Sequence, residues 1–198
     1  MGLFNVFKKP NIIKETNGGF FSQSLEDDML SNREIECIGM ITAESVNSLI
    51  NQVRYLAKQD SEKEITIYIN SPGGEVPSGL ALYDVMKAVK CPIRTVCIGM
   101  AASMGAILFA AGDKREILPH ARVMIHDPLI PGGIGGNALT VKSIADDLMR
   151  TREITCKILA EHTHRSIEEI YEKTKTDSFF YAEEAVEFGL ADKIITQL

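Results

Sequence analysis

The spacing of apolar residues along this 198-residue chain changes period several times before residue 130. Residues 35–41 and 65–70 are short apolar stretches that predict strands. Between them, residues 42–59 place apolar side chains three and four positions apart, which predicts a helix with Thr42 as its N-cap. The same criteria predict helices at 77–90 and 103–111 and strands at 93–98, 116–118 and 122–125. This alternation predicts βαβ units and an α/β fold with a parallel inner sheet.

The chain has a different character after residue 130. Residues 131–136 are rich in glycine, and a long helical pattern follows from Ala138 to about His162. A helix of about 25 residues is more than twice the usual length, so its apolar side chains need a surface on which to pack. Two arrangements meet this need: a neighbouring subunit covers the helix, or the helix folds back over its own sheet.

The composition is that of an ordinary globular protein, with 45% hydrophobic and 24% charged residues. A chain of this length fits a single domain. Residues 1–24 mix small polar residues with isolated apolar pairs. We expect them to form a loosely ordered tail, or to be ordered only against partner subunits. Residues 25–198 then form one domain.

Charge and motif content exclude several classes of function. The net charge is −6 and the largest basic cluster is Lys8–Lys9, so nucleic acid is not an expected partner. The sequence has no apolar stretch of the ~18 residues expected of a membrane span, and no Walker-type loop for a nucleotide. The four cysteines show neither a CxxC pair nor metal-ligand spacing. We therefore expect reduced thiols in a cytosolic protein, with no metal or other cofactor.

The most informative chemical feature is Ser103, which lies between two apolar stretches in the small-residue segment 99–105. A serine hydroxyl becomes a useful nucleophile only when a base accepts its proton and donors hold the resulting oxyanion. Because Ser103 begins a predicted helix, we expect the N–H groups of Ser103 and Met104 to point outward at its positive end. A packed core serine is the alternative at this position.

A base and a carboxylate follow later in the chain. His126 ends an apolar strand, where the edge of a sheet can place it beside Ser103. Asp177 precedes two phenylalanines that can bury its segment and bring the carboxylate to His126. The glycine-rich turn 71–74 ends another predicted strand, and glycine there allows an amide to be aimed at a ligand. Each feature alone has a structural explanation, but together they predict a serine peptidase.

Four segments, taken together, look like those of one known family: residues 68–74, 99–106, 122–128 and 177–192. They agree with that family in residue type and spacing, and the match runs in order from about residue 12 to residue 195. The chain therefore resembles the proteolytic subunit of the bacterial ATP-dependent Clp protease.

The resemblance implies a crotonase-like α/β core of repeated ββα units, with a protruding handle helix in the region of about 129–163. It implies that residues 25–198 form a single peptidase domain and that residues 1–24 contribute a tail with an axial loop. It also implies roles for five residues: Ser103 as nucleophile, His126 as general base, Asp177 as orienting acid, and the backbone N–H groups of Gly74 and Met104 as the oxyanion hole.

The resemblance further implies partners. Subunits of this kind form a barrel of two stacked seven-membered rings, joined by the handle. A ring-shaped AAA+ ATPase unfolds polypeptide substrates and threads them into the chamber. ATP is used by that ATPase, so the resemblance implies no cofactor in this chain and a cytoplasmic location.

Some positions depart from the family pattern. Where such subunits present an aliphatic and aromatic pocket to the docking loop of the ATPase, this chain has Arg54, Thr66, Ala88 and Glu116, while Tyr68, Val96 and Ile195 stay apolar in character. An apolar anchor loses roughly 1.5–3 kcal/mol when no pocket buries it. The resulting hypothesis is that this subunit docks its unfoldase poorly alone and shares a mixed barrel with a second proteolytic subunit.

Two other functions are compatible with the sequence. One is a poorly active structural or regulatory ring member, because activity in such barrels depends on assembly. The other is a crotonase-type acyl-CoA enzyme, which shares the core and its two-amide oxyanion hole but has no need of a Ser-His-Asp set.

Overall fold

The computed structural model describes residues 10–198, and the start of the predicted tail, residues 1–9, lies outside the described residues. The elements in chain order are β1 (Asn11–Thr16), β2 (Gly19–Ser24), α1 (Leu25–Ser31), β3 (Glu34–Ile41), α2 (Ala43–Gln59), β4 (Ile65–Gly74), α3 (Val76–Ala88), β5 (Ile93–Ala102), α4 (Met104–Ala110), β6 (Lys114–Ile117), β7 (Arg122–Ile125), α5 (Ala138–Thr163), α6 (Ile167–Thr174), β8 (Ser178–Tyr181), α7 (Ala182–Phe188) and β9 (Lys193–Ile194).

A parallel sheet organises most of these elements. Its strands lie in the order β3–β4–β5–β6–β9, and each neighbouring pair is parallel. β5 is long enough to serve two further partners in succession, because residues 94–97 pair with β6 and residues 100–102 pair with β7. β8 then runs antiparallel to β7. The predicted α/β fold with a parallel inner sheet is confirmed.

Apolar side chains from the central strands and from the helices packed on them form the core. Ile65, Ile67 and Ile69 of β4 are at most 2% exposed, and Val53 and Leu56 of α2 are equally buried. α4 is buried along its whole length because it follows the sheet edge directly into the core. This rigid interior supports the two sheet ends that carry the predicted chemistry.

Helix α2 begins where the sequence predicts. The hydroxyl of Thr42 accepts a hydrogen bond from the N–H of Ser45 at 3.2 Å, and the hydroxyl of Ser45 accepts one from the N–H of Thr42 at 3.0 Å. This reciprocal capping satisfies donors that the first turn of a helix leaves free. The N-cap prediction at Thr42 is therefore confirmed.

The glycine-rich segment 71–74 is not the turn that the sequence predicts. β4 continues through Gly74, with Gly73 paired to Met40 and Gly74 to Ile41 on one side. Glycine makes this possible, since φ is 96° at Gly73 and 153° at Gly74. The strand therefore shifts register and extends beside the end of β5, where Ser103 follows.

The second part of the predicted tail is ordered within the chain itself. β1 and β2 form an antiparallel hairpin, and Lys14 forms an ion pair with Asp28 of α1. Phe20 and Phe21 near the tip are 80% and 53% exposed. The structure gives this segment a hairpin, where the sequence predicts a loosely ordered tail or one ordered only against partner subunits.

The long helix α5 packs on the chain's own core along one half only. Its C-terminal half is buried against the chain's own core through Cys156, Ile158 and Leu159. Its N-terminal half projects, leaving Leu139 79% and Met149 61% exposed. No helix within residues 10–198 is both long and apolar enough to cross a membrane.

Candidate active site

Ser103 occupies the sharp turn between β5 and α4. Its backbone has φ 54° and ψ −121°, outside the regions that residues other than glycine usually adopt. Its N–H donates to the carbonyl of Met124 at 2.8 Å, and its carbonyl accepts from the N–H of Ala106 at 2.9 Å. The N–H of Ser103 therefore does not point outward as the sequence analysis expects, because neighbouring strand β7 takes this donor.

His126 follows the last residue of β7, and its imidazole joins the two other predicted groups. Nε2 lies 2.9 Å from Oγ of Ser103, and Nδ1 lies 3.1 Å from Oδ1 of Asp177. A carboxylate can only accept hydrogen bonds, so Nδ1 carries the proton and Nε2 is left to accept one from the serine hydroxyl. The fold thus brings together three side chains that are far apart in the sequence.

The pairing of β7 with β8 explains why Asp177 reaches the imidazole. The last register pair of these antiparallel strands is Ile125 with Ser178. His126 and Asp177 are therefore the next residues beyond this pair on the two strands. The side chain of His126 is 14% exposed and that of Asp177 is 61% exposed. The carboxylate therefore borders the solvent in the single chain.

The two phenylalanines after Asp177 play different parts. Phe180 is buried beside Phe188, with ring centroids 4.7 Å apart, and anchors β8 in the core. Phe179 faces the other way, is 48% exposed, and lies beneath the guanidinium of Arg122 at 5.3 Å from its ring centroid. One phenylalanine, rather than both, buries the segment because successive strand residues face opposite sides.

The backbone at Gly73 lies directly against the nucleophile turn, and the backbone at Gly74 lies against Ile41 of β3. A Cβ at Gly73 would lie 2.7 Å from Cβ of Ser103 and 3.1 Å from the nitrogen of Met104. A Cβ at Gly74 would lie 2.1 Å from the carbonyl oxygen of Ile41. Both positions therefore require glycine, and Gly73 lies beside Ser103 and Met104.

Two polar side chains that the sequence analysis did not single out, the buried Ser71 and the exposed Asn70, hold this arrangement. The hydroxyl of Ser71 donates to the carbonyl of Gly39 at 2.6 Å and accepts from the N–H of Gly73 at 3.1 Å. Oδ1 of Asn70 accepts from the N–H of Met100 at 3.1 Å. Both residues stand in the glycine-rich motif, but their bonds to distant backbone groups depend on strand register.

A small pocket opens beside Ser103 and His126. Its one further polar side chain, Thr155, donates its hydroxyl to the carbonyl of Thr151 in its own helix at 3.1 Å. The surface that remains for a ligand is therefore mainly apolar. The other lining residues are Val76, Met104, Ile107, Ile125, Pro128 and Leu159.

The four cysteines are free and buried. Burial raises the pKa of Cys37 to about 11 and that of Cys97 to about 12. These two groups therefore stay neutral thiols at neutral pH, and neither competes with Ser103 as a nucleophile.

One of the positions that depart from the expected docking pocket, Glu116, lies at the centre of a charged network on one face of the sheet. Glu116 is 1% exposed. Its carboxylate accepts from Nε of Arg94 at 2.7 Å and lies 3.0 Å from Nζ of Lys193 and 3.6 Å from Nζ of Lys114. Tyr68 is nearly buried and donates to the carboxylate of Glu34 at 3.1 Å. Ionic and polar groups therefore occupy much of this face.

The parallel α/β core aligns a serine hydroxyl, an imidazole and a carboxylate in one hydrogen-bonded series. Serine hydrolases have this arrangement. The family model for Clp protease matches residues 18–198, and the chain belongs to this family. It is therefore a peptidase of the Clp type, the proteolytic component that the sequence resemblance predicts.

Proposed function

We propose that this chain is a serine endopeptidase subunit in which Ser103 is the nucleophile, His126 the general base and Asp177 the orienting acid. The observation that carries the proposal is the unbroken series from Asp177 Oδ1 through both imidazole nitrogens to Ser103 Oγ, with separations of 3.1 and 2.9 Å. The carboxylate holds the tautomer that leaves Nε2 free to accept a proton.

The reaction proceeds in two steps. Nε2 of His126 accepts the hydroxyl proton as Oγ of Ser103 attacks the substrate carbonyl, and the imidazolium then gives that proton to the leaving amine as the C–N bond breaks. Water, deprotonated by the same imidazole, then attacks the acyl-enzyme ester and releases the carboxylic acid product. Serine and imidazole are restored.

Backbone geometry supports Gly74 and Met104 as the oxyanion donors. The neighbouring donors are occupied, since the N–H of Gly73 bonds to Ser71 and the N–H of Glu75 donates to the carbonyl of Ile41 at 2.9 Å. Successive N–H groups of an extended segment point to opposite sides, so that of Gly74 points away from β3 and toward the nucleophile turn. Two such donors stabilise the charge that develops in the transition state.

The apolar pocket beside Ser103 supports a substrate that places a hydrophobic side chain next to the cleaved bond. The space between the lining side chains is about 20 Å³, so such a side chain would be covered on one face rather than fully buried. An unfolded polypeptide offers these side chains, whereas a folded one buries them. The proposed substrates are therefore unfolded proteins and peptides.

The family generally forms oligomeric rings that work with an unfoldase. The exposed apolar half of α5 supports the proposal that two stacked heptameric rings enclose a chamber, which a partner AAA+ ATPase feeds. ATP belongs to that partner, and this chain needs no cofactor for its own chemistry. Four unpaired cysteines support a cytoplasmic location.

Active-site labelling together with size measurement tests the proposal. The purified chain is expected to react with a fluorophosphonate probe and to hydrolyse a short fluorogenic peptide, in a species near fourteen times the chain mass of 21.8 kDa. Ser103→Ala is expected to lose both activities without a change in mass, because only the attacking oxygen is removed. Ser61→Ala, in the loop before β4, is the matched control. Turnover that survives Ser103→Ala would refute the proposal.

One observation favours a second candidate, a poorly active ring member of a mixed barrel. Glu116 and its three cations fill a face where the family resemblance implies an apolar docking pocket. If the chain gains peptidase activity only when a second proteolytic subunit is added, this alternative replaces the self-sufficient enzyme.

A further inference from the structure

The residue that follows His126 is held by two helices at once. Oδ2 of Asp127 accepts a hydrogen bond from Nε of Arg152 in α5 at 2.6 Å. The backbone N–H of Asp127 donates to the carbonyl of Thr174, the last residue of α6, at 2.7 Å. The chain segment that carries the imidazole is therefore fixed by one charged contact and one backbone contact immediately beyond it.

Arg152 is itself fixed in direction. Its guanidinium carbon lies 4.2 Å from the ring centroid of Tyr171 in α6, so the planar group stacks over an aromatic face. The side chains of Arg152 and Asp127 are 20% and 32% exposed, and the hydrogen bond to Asp127 raises the pKa of Arg152. Arg152 therefore presents a fixed donor to Asp127 rather than a mobile surface charge.

The second carboxylate oxygen makes this contact important. Oδ1 of Asp127 is buried and has no hydrogen-bond partner among residues 10–198. A buried anion without a partner is costly, and Arg152 supplies the cation that pairs with this carboxylate. Removal of Arg152 would leave the carboxylate to seek solvent, and the peptide of His126 would have to move with it.

We propose that Asp127 and Arg152 are positioning residues, which hold His126 so that Nε2 stays within hydrogen-bond distance of Ser103. The inference rests on the proposed function of His126 as the base. The pair joins the catalytic segment to α5 through an ionic contact, and neither residue touches the reacting atoms. Misplacement of a catalytic group by about 1 Å is enough to slow a reaction by up to 100-fold.

The test compares the rate of fluorophosphonate acylation, and kcat and KM for a peptide, among variants of the assembled protein. Asp127→Asn and Arg152→Met are each expected to lower the acylation rate and kcat about tenfold, with KM unchanged because the substrate pocket is untouched. The double variant is expected to be no slower than Arg152→Met alone, because a neutral amide at position 127 leaves no unpaired charge when Arg152 is absent. Arg152→Lys, which keeps the positive charge, is expected to retain more activity than Arg152→Met.

The matched control lies on the same helix. Lys157→Gln removes an exposed ion pair with Glu153, measured at 2.6 Å, and is expected to leave the acylation rate unchanged. Wild-type rates in Asp127→Asn and Arg152→Met, or losses that add in the double variant, would overturn the inference. A wild-type chain that is not acylated at Ser103 would instead refute the proposed function.

Discussion

At the scale of single residues, the backbone of Ser103 carries strain at the point of chemistry. Ser103 is one of three residues other than glycine with positive φ within residues 10–198, the others being Arg33 and His164. Conformations of this kind cost about 1–3 kcal/mol and persist only where the surroundings enforce them. Here the bond to Met124 and the fully buried helix α4 enforce the turn, which presents the hydroxyl to His126.

Replacement of Ser103 by glycine is expected to relieve this strain. Glycine accepts the turn without steric cost but loses about 0.5–1 kcal/mol through backbone entropy, against strain of about 1–3 kcal/mol. Ser103→Gly is therefore expected to be more stable than Ser103→Ala by about 1 kcal/mol, although both are inactive. Urea unfolding of the two variants at equal protein concentration measures the difference.

The same pair of substitutions at Ser61, which has no positive φ, provides the control. There the alanine variant is expected to be the more stable one, since only the entropy term acts. Equal stabilities of Ser103→Gly and Ser103→Ala would mean that the nucleophile turn is unstrained.

At the scale of elements, one buried carboxylate links three strands directly and a fourth through Arg94. Glu116 lies on β6, Arg94 on β5, Lys114 on β6 and Lys193 on β9, while Arg94 also interacts with Tyr68 of β4. Burial by itself raises the pKa of Glu116. Hydrogen bonds from Lys193 and Arg94, together with the nearby positive charges, outweigh burial and hold this pKa below its usual value. The carboxylate therefore binds protons less readily in the folded chain than in the unfolded chain.

Glu116→Gln is expected to destabilise the fold by about 2 kcal/mol at pH 7, because it leaves several cations without their counter-ion. A depressed pKa contributes stability that is present above the unfolded value and lost as the pH falls through the folded value. The difference between wild type and variant should therefore be constant near neutral pH and shrink as the pH falls below about 4.5. Urea unfolding at a series of pH values checks this.

Glu153→Gln removes an exposed pair with Lys157 on α5 and should leave the urea midpoint unchanged at each of these pH values. If the penalty of Glu116→Gln instead grew on acidification, the network would not hold Glu116 in its charged form.

At the scale of the whole molecule, α5 divides the chain into a self-sufficient core and a projecting arm. Its C-terminal half packs against α4 and α6, next to the Arg152 contact with Asp127. Its N-terminal half exposes apolar side chains that a single chain leaves in water. An apolar surface of this kind marks a place for association, and in the proposed assembly it is the contact between rings.

Leu139→Asp combined with Met149→Asp is expected to separate the two rings, because each charge would be buried without a partner in the contact. Size exclusion with light scattering should show half the mass of the wild-type assembly. Lys157→Gln, which removes an exposed pair with Glu153 beyond the projecting half of the same helix, is the control and should leave the mass unchanged. An unchanged mass in the double variant would exclude this half of α5 as the ring contact.

The sequence by itself determined most elements between residues 35 and 163 and the identities of the candidate triad. Periods of two and 3.6 residues are local properties, so the strands and helices around Ser103 and His126 were predictable within a few residues. The family resemblance added the expected roles of Gly74 and Met104. Residues 71–74 were misjudged because a local rule associates paired glycines with turns, whereas pairing with β3 and β5 keeps this segment extended.

Only the tertiary structure decided how these groups meet. Strand register and helix packing decide three contacts. Gly73 lies against Ser103, the N–H of Ser103 donates to the carbonyl of Met124, and Arg152 pairs with Asp127. These contacts join residues far apart in the chain, and no local pattern records their distances. Residue types are set by the sequence, but separations of about 3 Å arise only when the packed core fixes every element at once.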